Sequence, residues 1–237
     1  MMSVRFSPAS ARALACMTLS ALAASASGAV FTYNPSLGSL PQAQGWDFAG
    51  SFNAPMSVSG GTLTYGATTV NGTTFWRAIQ PDPIDFATET SVIEIELKLT
   101  GSDFGNFSGF RRAGFAMLLQ DDAGRWIIAE IGDNRVGLGN DDNRTSDPSA
   151  LFNFADGFHT VRLEAGPTGG RLYVDGTLML SLALGGGRTG GAQSFWGDGT
   201  ILANANLTEI RSVIYTPTPG ATALLAAAGL VGLRRRR

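Results

Sequence analysis

The chain has 237 residues, with 31 glycines, ten prolines, one cysteine and one histidine, and this length is sufficient for one substantial hydrophobic core without disulfides or metals. Its formal charge of −2 conceals an acidic centre, because six of the 17 basic residues lie in the first 12 and the last four positions, which leaves 11 basic against 19 acidic residues and a balance of −8 between the ends. That balance argues against nucleic acid and against anionic membrane surfaces as partners.

The first predicted element is a signal peptide over residues 1–29. A basic start precedes an apolar stretch over residues 13–24, and small residues follow, with Ala24-Ser25-Ala26 and Ser27-Gly28-Ala29 as candidate cleavage sites. This order is that of a secretory signal, and a packed N-terminal helix is the alternative. Cys16 lies inside the apolar stretch, so the mature protein is predicted to have neither disulfides nor thiolate chemistry.

Between residues 30 and 215, short apolar runs alternate with polar residues and end at glycine, asparagine and aspartate clusters, which is typical of half-buried strands. Residues 91–99 give the clearest example, since isoleucines and leucines occupy the odd positions while Val92, Glu94, Glu96 and Lys98 occupy the even ones. Other predicted strands are 114–119, 125–131, 135–138, 158–164, 171–174, 177–182 and 207–214. The pattern favours an antiparallel β-sandwich with a meander at 114–138.

Two motifs near the centre of the chain resemble a known family. Residues 156–163 read Asp-Gly-Phe-His-Thr-Val-Arg-Leu, and residues 171–176 read Arg-Leu-Tyr-Val-Asp-Gly. They resemble the concanavalin A-like sandwiches, which include laminin G-like and legume-lectin-like domains and in which a strand near an aromatic-histidine pair leads to a strand ending in Val-Asp-Gly. The resemblance implies a concanavalin A-like jelly roll over residues 30–215, all-β, with a last strand that returns to pair near the first. It bears on fold rather than on function.

The candidate catalytic residues are Glu94 and Glu96, which share a strand face at about 7 Å. Superfamily members that hydrolyse β-glucans carry three acids at alternate positions of one strand, whereas Lys98 stands at the third position here. Two acids at this spacing suit retaining glycoside chemistry, so a secreted polysaccharide hydrolase remains an alternative. Glutamates on the wet face of a sheet are ordinary, and we predict no catalysis. His159 is interpreted as a packing residue.

A calcium site is the one cofactor site that the sequence suggests. Asp141, Asp142, Asn143 and Asp147 lie in one predicted loop, and oxygen-rich loops of this kind can hold Ca²⁺. The same residues are also the ordinary chemistry of turns.

The four tryptophans are candidates for stacking on a sugar ring. Trp196 and Asp198 lie in the glycine-rich stretch 194–199, which we predict to be a loop that contacts a ligand. Trp126 shares a strand face with Ile128 and is predicted to be packed.

The chain ends in a predicted sorting tail over residues 216–237. Pro217, Pro219 and Gly220 precede an apolar run over residues 221–233. The tail then ends with Arg234, Arg235, Arg236 and Arg237. This order resembles the PEP-CTERM tail of bacterial envelope proteins, in which a Pro-Glu-Pro motif, a hydrophobic helix and basic residues are recognised and cleaved by an exosortase. Thr218 stands where that family has glutamate.

The apolar run of the tail predicts a transient membrane anchor. Thirteen helical residues rise only about 20 Å, whereas a permanent span needs about 20 residues. Terminal arginines resist translocation, so the body is expected to face outward.

The leading hypothesis is therefore an exported protein of the bacterial envelope or extracellular matrix, flanked by a signal helix and a sorting helix, whose non-catalytic sandwich binds a glycan or a surface protein. An exosortase-type enzyme is a further expected partner, and nucleic acid is not. The alternatives are the hydrolase that uses Glu94 and Glu96, and a purely structural surface protein.

Overall fold

The computed structural model describes residues 29–50, 55–66, 74–80, 83–101, 105–107, 110–112, 114–140, 147–198 and 207–218. The predicted signal helix and the apolar and arginine parts of the predicted tail lie outside these residues. Within the described part of the chain, no helix combines the length and the apolar character that crossing a membrane requires.

The described residues form strands and two short 3₁₀ helices, Pro35–Leu37 and Pro41–Gln44. The strands are β1 (Phe31–Tyr33), β2 (Asp47–Phe48), β3 (Met56–Ser59), β4 (Thr62–Gly66), β5 (Thr74–Ile79), β6 (Thr90–Thr100), β7 (Gly105–Phe107), β8 (Phe110–Arg112), β9 (Phe115–Gln120), β10 (Trp126–Ile131), β11 (Arg135–Gly139), β12 (Ser149–Leu151), β13 (His159–Gly166), β14 (Gly169–Val174), β15 (Thr177–Leu182), β16 (Gln193–Asp198) and β17 (Leu207–Thr218).

These strands build two antiparallel sheets that enclose one core. The first sheet has the order β15-β14-β13-β6-β17-β4-β3, and β1 also pairs with β17. The second has the order β12-β11-β10-β9-β16-β5-β2, and β7 pairs with β8 apart from both. The prediction of a concanavalin A-like antiparallel β-sandwich is confirmed, including the meander β9-β10-β11 and the return of the last strand to pair with the first.

Strand β6 shows how the sequence pattern specifies the sheet. Its odd-numbered residues are buried and its even-numbered residues are half-buried, as the alternation predicts. It pairs with β13 on one side and with β17 on the other. The glutamates of β6 therefore lie on the outward face of the eight-stranded sheet, opposite the core.

An aromatic cluster fills the core between the sheets. The Trp196 ring lies 5.8 Å from the Tyr33 ring, 5.7 Å from Trp46 and 6.1 Å from Trp76, measured between centroids. All four side chains are at most 1 % exposed. Each such burial contributes about 1.5–3 kcal/mol of transfer free energy, so this cluster is a main source of the stability of the sandwich.

Strand β17 continues to Thr218, three residues beyond the predicted end of the domain at Tyr215. Pro217 is buried and opposes Ser91 of β6. In the described residues, β1 reaches only Tyr215, so beyond that point β17 pairs with β6 alone. A proline is compatible with a strand that is open on one side, because its missing N–H can face away from the neighbour.

Candidate functional site

The seven-stranded sheet has buried apolar residues on both faces, which distinguishes it from the eight-stranded sheet. Every residue of β9 and β10 is buried. On the face away from the core, Ala116, Leu118, Trp126 and Ile128 form a second apolar cluster. These four residues are at most 5 % exposed, so the part of this face that a ligand can reach lies beside them.

At the β5 side of this cluster, five outward residues form the Phe195 patch: Asp47, Phe75, Arg77, Ile79 and Phe195. Phe195 of β16 lies opposite Arg77 of β5, which in turn lies opposite Asp47 of β2. Phe75 and Ile79 are two residues from Arg77 on the same strand, so strand alternation places them on the same face. The rings of Phe75 and Phe195 meet edge to face, with centroids 6.1 Å apart.

The Phe195 patch is accessible from solvent. Phe75 and Phe195 are half-buried against the second apolar cluster, and the Arg77 side chain is 34 % exposed. Ile79 and Asp47 are exposed. Two aromatic rings beside a cation and a carboxylate provide an apolar contact surface together with hydrogen-bond donors and acceptors.

Trp126 is covered by a cation on the same face of the sheet. The Arg188 guanidinium lies 4.0 Å above the centre of the Trp126 ring, and Trp126 is 2 % exposed. The prediction that Trp126 packs with Ile128 is confirmed. A cation over an indole ring is stabilising, so Arg188 covers the outward side of the Trp126 ring.

The prediction that Trp196 contacts a ligand from a loop is wrong. Trp196 lies in strand β16 and is fully buried among the core aromatics. Asp198 lies two residues further along the same strand and is also buried. Because side chains alternate across a strand, the outward aromatic residue of this segment is Phe195.

The residues of the predicted calcium site are only partly described. Asp141, Asp142 and Asn143 lie outside the described residues, and Asp147 is buried beside strand β12. Among the described residues, no three histidine, cysteine, aspartate or glutamate side chains are grouped so as to hold a metal ion. Calcium binding by this loop stays a prediction.

Two other aspartates fasten loops to the sheet. Buried Asp121 accepts hydrogen bonds from the Phe86 amide at 3.0 Å and from Arg125 Nε at 2.7 Å. Asp122 accepts one from the Ile84 amide at 2.7 Å. Both carboxylates thus serve the fold at the β9–β10 turn.

Glu94 and Glu96 lie together on the outward face of the eight-stranded sheet, as predicted from their spacing. Glu94 is opposite Arg162 of β13. The Glu96 Oε1 atom lies 3.4 Å from Arg211 Nη1. Glutamates paired with arginines in this way are typical of the solvent-facing side of a sheet.

His159 is held between two carboxylates at the start of β13. Its Nδ1 lies 2.7 Å from Asp175 Oδ2 and its Nε2 lies 2.8 Å from Asp156 Oδ1. Phe152 and Phe154 meet the imidazole ring edge to face. Burial disfavours the charged ring, but the hydrogen bonds to Asp156 and Asp175 outweigh it and raise the pKa of His159. The His159 ring is packed against aromatic side chains and both of its nitrogens have hydrogen-bond partners, in agreement with the sequence interpretation.

Stability is expected to fall as pH rises through the pKa of His159. A raised pKa in the folded state means that the stabilisation is complete below the ordinary value of about 6.5 and is lost above the raised value. The loss should not exceed about 1 kcal/mol, because both carboxylates are about half exposed. Urea unfolding at about pH 6 and about pH 9 measures it.

The variant H159Q is the control for this pH dependence, because the chain has no other histidine. Its stability should change little over the same interval. An equal loss in H159Q and in the natural chain would assign the effect to another group.

The sequence analysis missed Phe75, Arg77 and Phe195. The available signal was the alternation in Thr74–Ile79, where Phe75, Arg77 and Ile79 share one face. The pairing that brings Phe195 beside Arg77 joins strands more than 100 residues apart and is not visible in the sequence.

No protein-family model and no curated protein matches the chain. Among solved structures, the sandwich is similar to a carbohydrate esterase from the Shiga toxin-encoding bacteriophage phi24B, with 16 % identity over 81 % of this chain and 100 % of that chain and a TM-score of 0.58. It is also similar to the Crh5 transglycosylase in complex with NAG, with 15 % identity over 78 % of this chain and 83 % of that chain and a TM-score of 0.51. At these identities, what the chain shares with both proteins is the sandwich fold.

Proposed function

We propose that the chain is an exported envelope or extracellular-matrix protein whose sandwich binds a glycan at the Phe195 patch without catalysing a reaction on it. The observation that carries this proposal is the outward position of Phe75 and Phe195 beside Arg77 and Asp47.

The chemistry of the patch suits a sugar. A pyranose ring has apolar C–H faces and a rim of hydroxyls, so it needs an aromatic surface with polar groups at its edge. The half-buried rings of Phe75 and Phe195 supply the surface. The guanidinium of Arg77 donates hydrogen bonds and the carboxylate of Asp47 accepts them.

Among the described residues on the outward face of the seven-stranded sheet, the separation of Asp47 from Glu130 supports binding rather than hydrolysis at the patch. Glycosidases place two carboxyl groups about 5–9.5 Å apart. Asp47 on β2 and Glu130 on β10 lie on the same face of the sheet, but four strand spacings separate them, which is about 19 Å. Glu94 and Glu96 lie on the other sheet.

The names of the two structural neighbours support a glycan as the first ligand class to test, since one is a carbohydrate esterase and the other a transglycosylase in complex with NAG. The test is binding of the full chain to a panel of bacterial and plant polysaccharides, with and without calcium, while released reducing ends are monitored. Binding without release is the expected result.

The other outcomes separate the remaining hypotheses. Release of reducing ends that Glu96→Gln abolishes would replace the binding proposal with the hydrolase. Absence of binding to every glycan, together with retention of the protein in the envelope, would replace the binding proposal with the structural surface protein. Binding that requires calcium would direct attention to Asp147 and its loop.

The export part of the proposal rests on the two chain ends. Strand β17 ends at Thr218, so the first three residues of the predicted tail belong to the sheet and the rest would follow it directly. In a bacterium that carries an exosortase, we expect the full chain to be shortened and to remain with the envelope. A chain that lacks residues 219–237 should instead be released to the medium, which immunoblots of cell fractions measure. Identical sizes and fractions for both chains would contradict the sorting proposal.

A further inference from the structure

We infer that the glycan bound at the Phe195 patch is anionic, and that Arg77 receives its carboxylate or sulfate group. This inference rests on the proposed function, because it names the ligand class of the same site. It follows from the position of Arg77 beside two aromatic residues and from the distance between its guanidinium and the nearest carboxylate.

Arg77 lies at the centre of the patch. Along β5 it stands between Phe75 and Ile79, and across the sheet it stands between Phe195 and Asp47. The register therefore places Arg77 next to both aromatic residues on the outward face of the sheet.

The hydrogen-bond capacity of Arg77 is not used within the described residues. Its Nε atom is buried and has no acceptor there. The Nη2 atom lies 3.9 Å from Asp47 Oδ2, which is beyond hydrogen-bond distance. Since Nε is buried, a ligand that approaches from solvent meets the exposed part of the Arg77 side chain, which is 34 % exposed as a whole.

Other arginines of the chain show the contrast. Arg125 donates its Nε–H to Asp121 at 2.7 Å, and Arg162 lies 2.6 Å from Glu164. These guanidinium groups are occupied by carboxylates of the protein itself. The carboxylate nearest to Arg77 is that of Asp47, at 3.9 Å from Nη2, so the exposed donors of Arg77 are not held by a close carboxylate of the described residues.

The geometry of a guanidinium selects an anion over a hydroxyl. Adjacent N–H groups of arginine form two parallel hydrogen bonds to a planar carboxylate, or to two oxygens of a sulfate, and such charge-assisted pairs are about twice as strong as neutral ones. A sugar hydroxyl accepts one of these bonds at a time. With Phe75 and Phe195 beneath the sugar ring, the acidic substituent of a uronate or a sulfated sugar can reach Arg77.

A second cation lies on the same face of the sheet. Arg188 lies over Trp126, three strands from Arg77 in the order β5-β16-β9-β10. The lateral separation of the two strands is about 14 Å.

The test compares polygalacturonate with its fully methyl-esterified form, which has the same sugar backbone without the charge. The full chain should bind the charged polymer at least about tenfold more tightly. Arg77→Gln should remove this preference, and Asp47→Asn should strengthen binding because a like charge is removed. Sulfated and neutral polysaccharides in the same assay identify which anion is preferred.

Arg162→Gln is the matched control, because Arg162 lies on the outward face of the other sheet. It should leave binding unchanged, and the melting temperatures of both arginine variants establish that they fold. Equal binding of the charged and esterified polymers would overturn the anionic assignment but not the glycan proposal. Absence of binding to every polysaccharide would overturn the proposed function itself. Loss of binding in F195A with full binding in R77Q would overturn the role of Arg77 alone.

Discussion

Trp196→Ala is expected to lower the free energy of unfolding by about 3–5 kcal/mol, which is the usual cost of truncating a fully buried aromatic side chain. The Trp196 ring contacts Tyr33, Trp46 and Trp76 at centroid distances of 5.7–6.1 Å. Its removal leaves a cavity that these large rings cannot fill without leaving their own positions. The loss is a large part of the stability of an ordinary domain.

Denaturant unfolding of the full chain measures this loss, and the neighbouring residue provides the control. Phe195→Ala should cost less, about 1–2 kcal/mol, because this ring is only partly buried, on the opposite face of the same strand. Equal losses for the two substitutions would contradict the assignment of Trp196 to the core and Phe195 to the surface.

Phe195→Ala is expected to weaken glycan binding about tenfold or more, which corresponds to the loss of about 1.4 kcal/mol of ring contact. The ring of Phe195 is positioned by its edge-to-face contact with Phe75. Without it, a sugar at the patch would lose its apolar surface while Arg77 and Asp47 remained. Titration calorimetry with the best polysaccharide from the panel measures the change in Kd.

Leu178→Ala is the matched control for binding. Leu178 is also an exposed apolar residue, 52 % exposed, but it belongs to β15 at the edge of the eight-stranded sheet. Its truncation should leave the affinity unchanged. A loss in L178A equal to that in F195A would show that the glycan is held by the edge of the other sheet.

The strands with a local pattern were predictable from the sequence. In β6, buried and half-buried residues alternate without interruption, because one face meets the core and the other meets water. The strands β9, β10 and β11 were visible through the short turns that join them. Neighbours in sequence are neighbours in these parts of the sheet, so local information is sufficient.

The position of β16 was not predictable in the same way. Its glycine-rich sequence indicated a loop, yet β16 lies between β5 and β9 in the sheet. Gly197 has a φ of +143°, and a Cβ there would lie 2.1 Å from the Thr74 carbonyl oxygen. This glycine therefore permits a close approach of two strands, which in sequence has the same appearance as a turn.

The binding patch was hidden for a related reason. Alternation separates buried from exposed positions only when one face is polar, but β9 and β10 are buried on both faces. A sequence read by size and aromatic character favours Trp196, whereas the register of β16 against β5 places Phe195 outward beside Arg77. A shift of one residue along a strand exchanges the two faces, so a binding residue cannot be chosen without the register.

The most direct test of the proposed site is a map of amide chemical shifts of the full chain as polygalacturonate is added. The account predicts that the shifts change in β2, β5 and β16 around Phe195 and Arg77, and that the outward face of β6 and the surroundings of His159 stay unchanged. Changes concentrated around Glu94 and Glu96, or around His159, would contradict it and would move the binding site to the eight-stranded sheet.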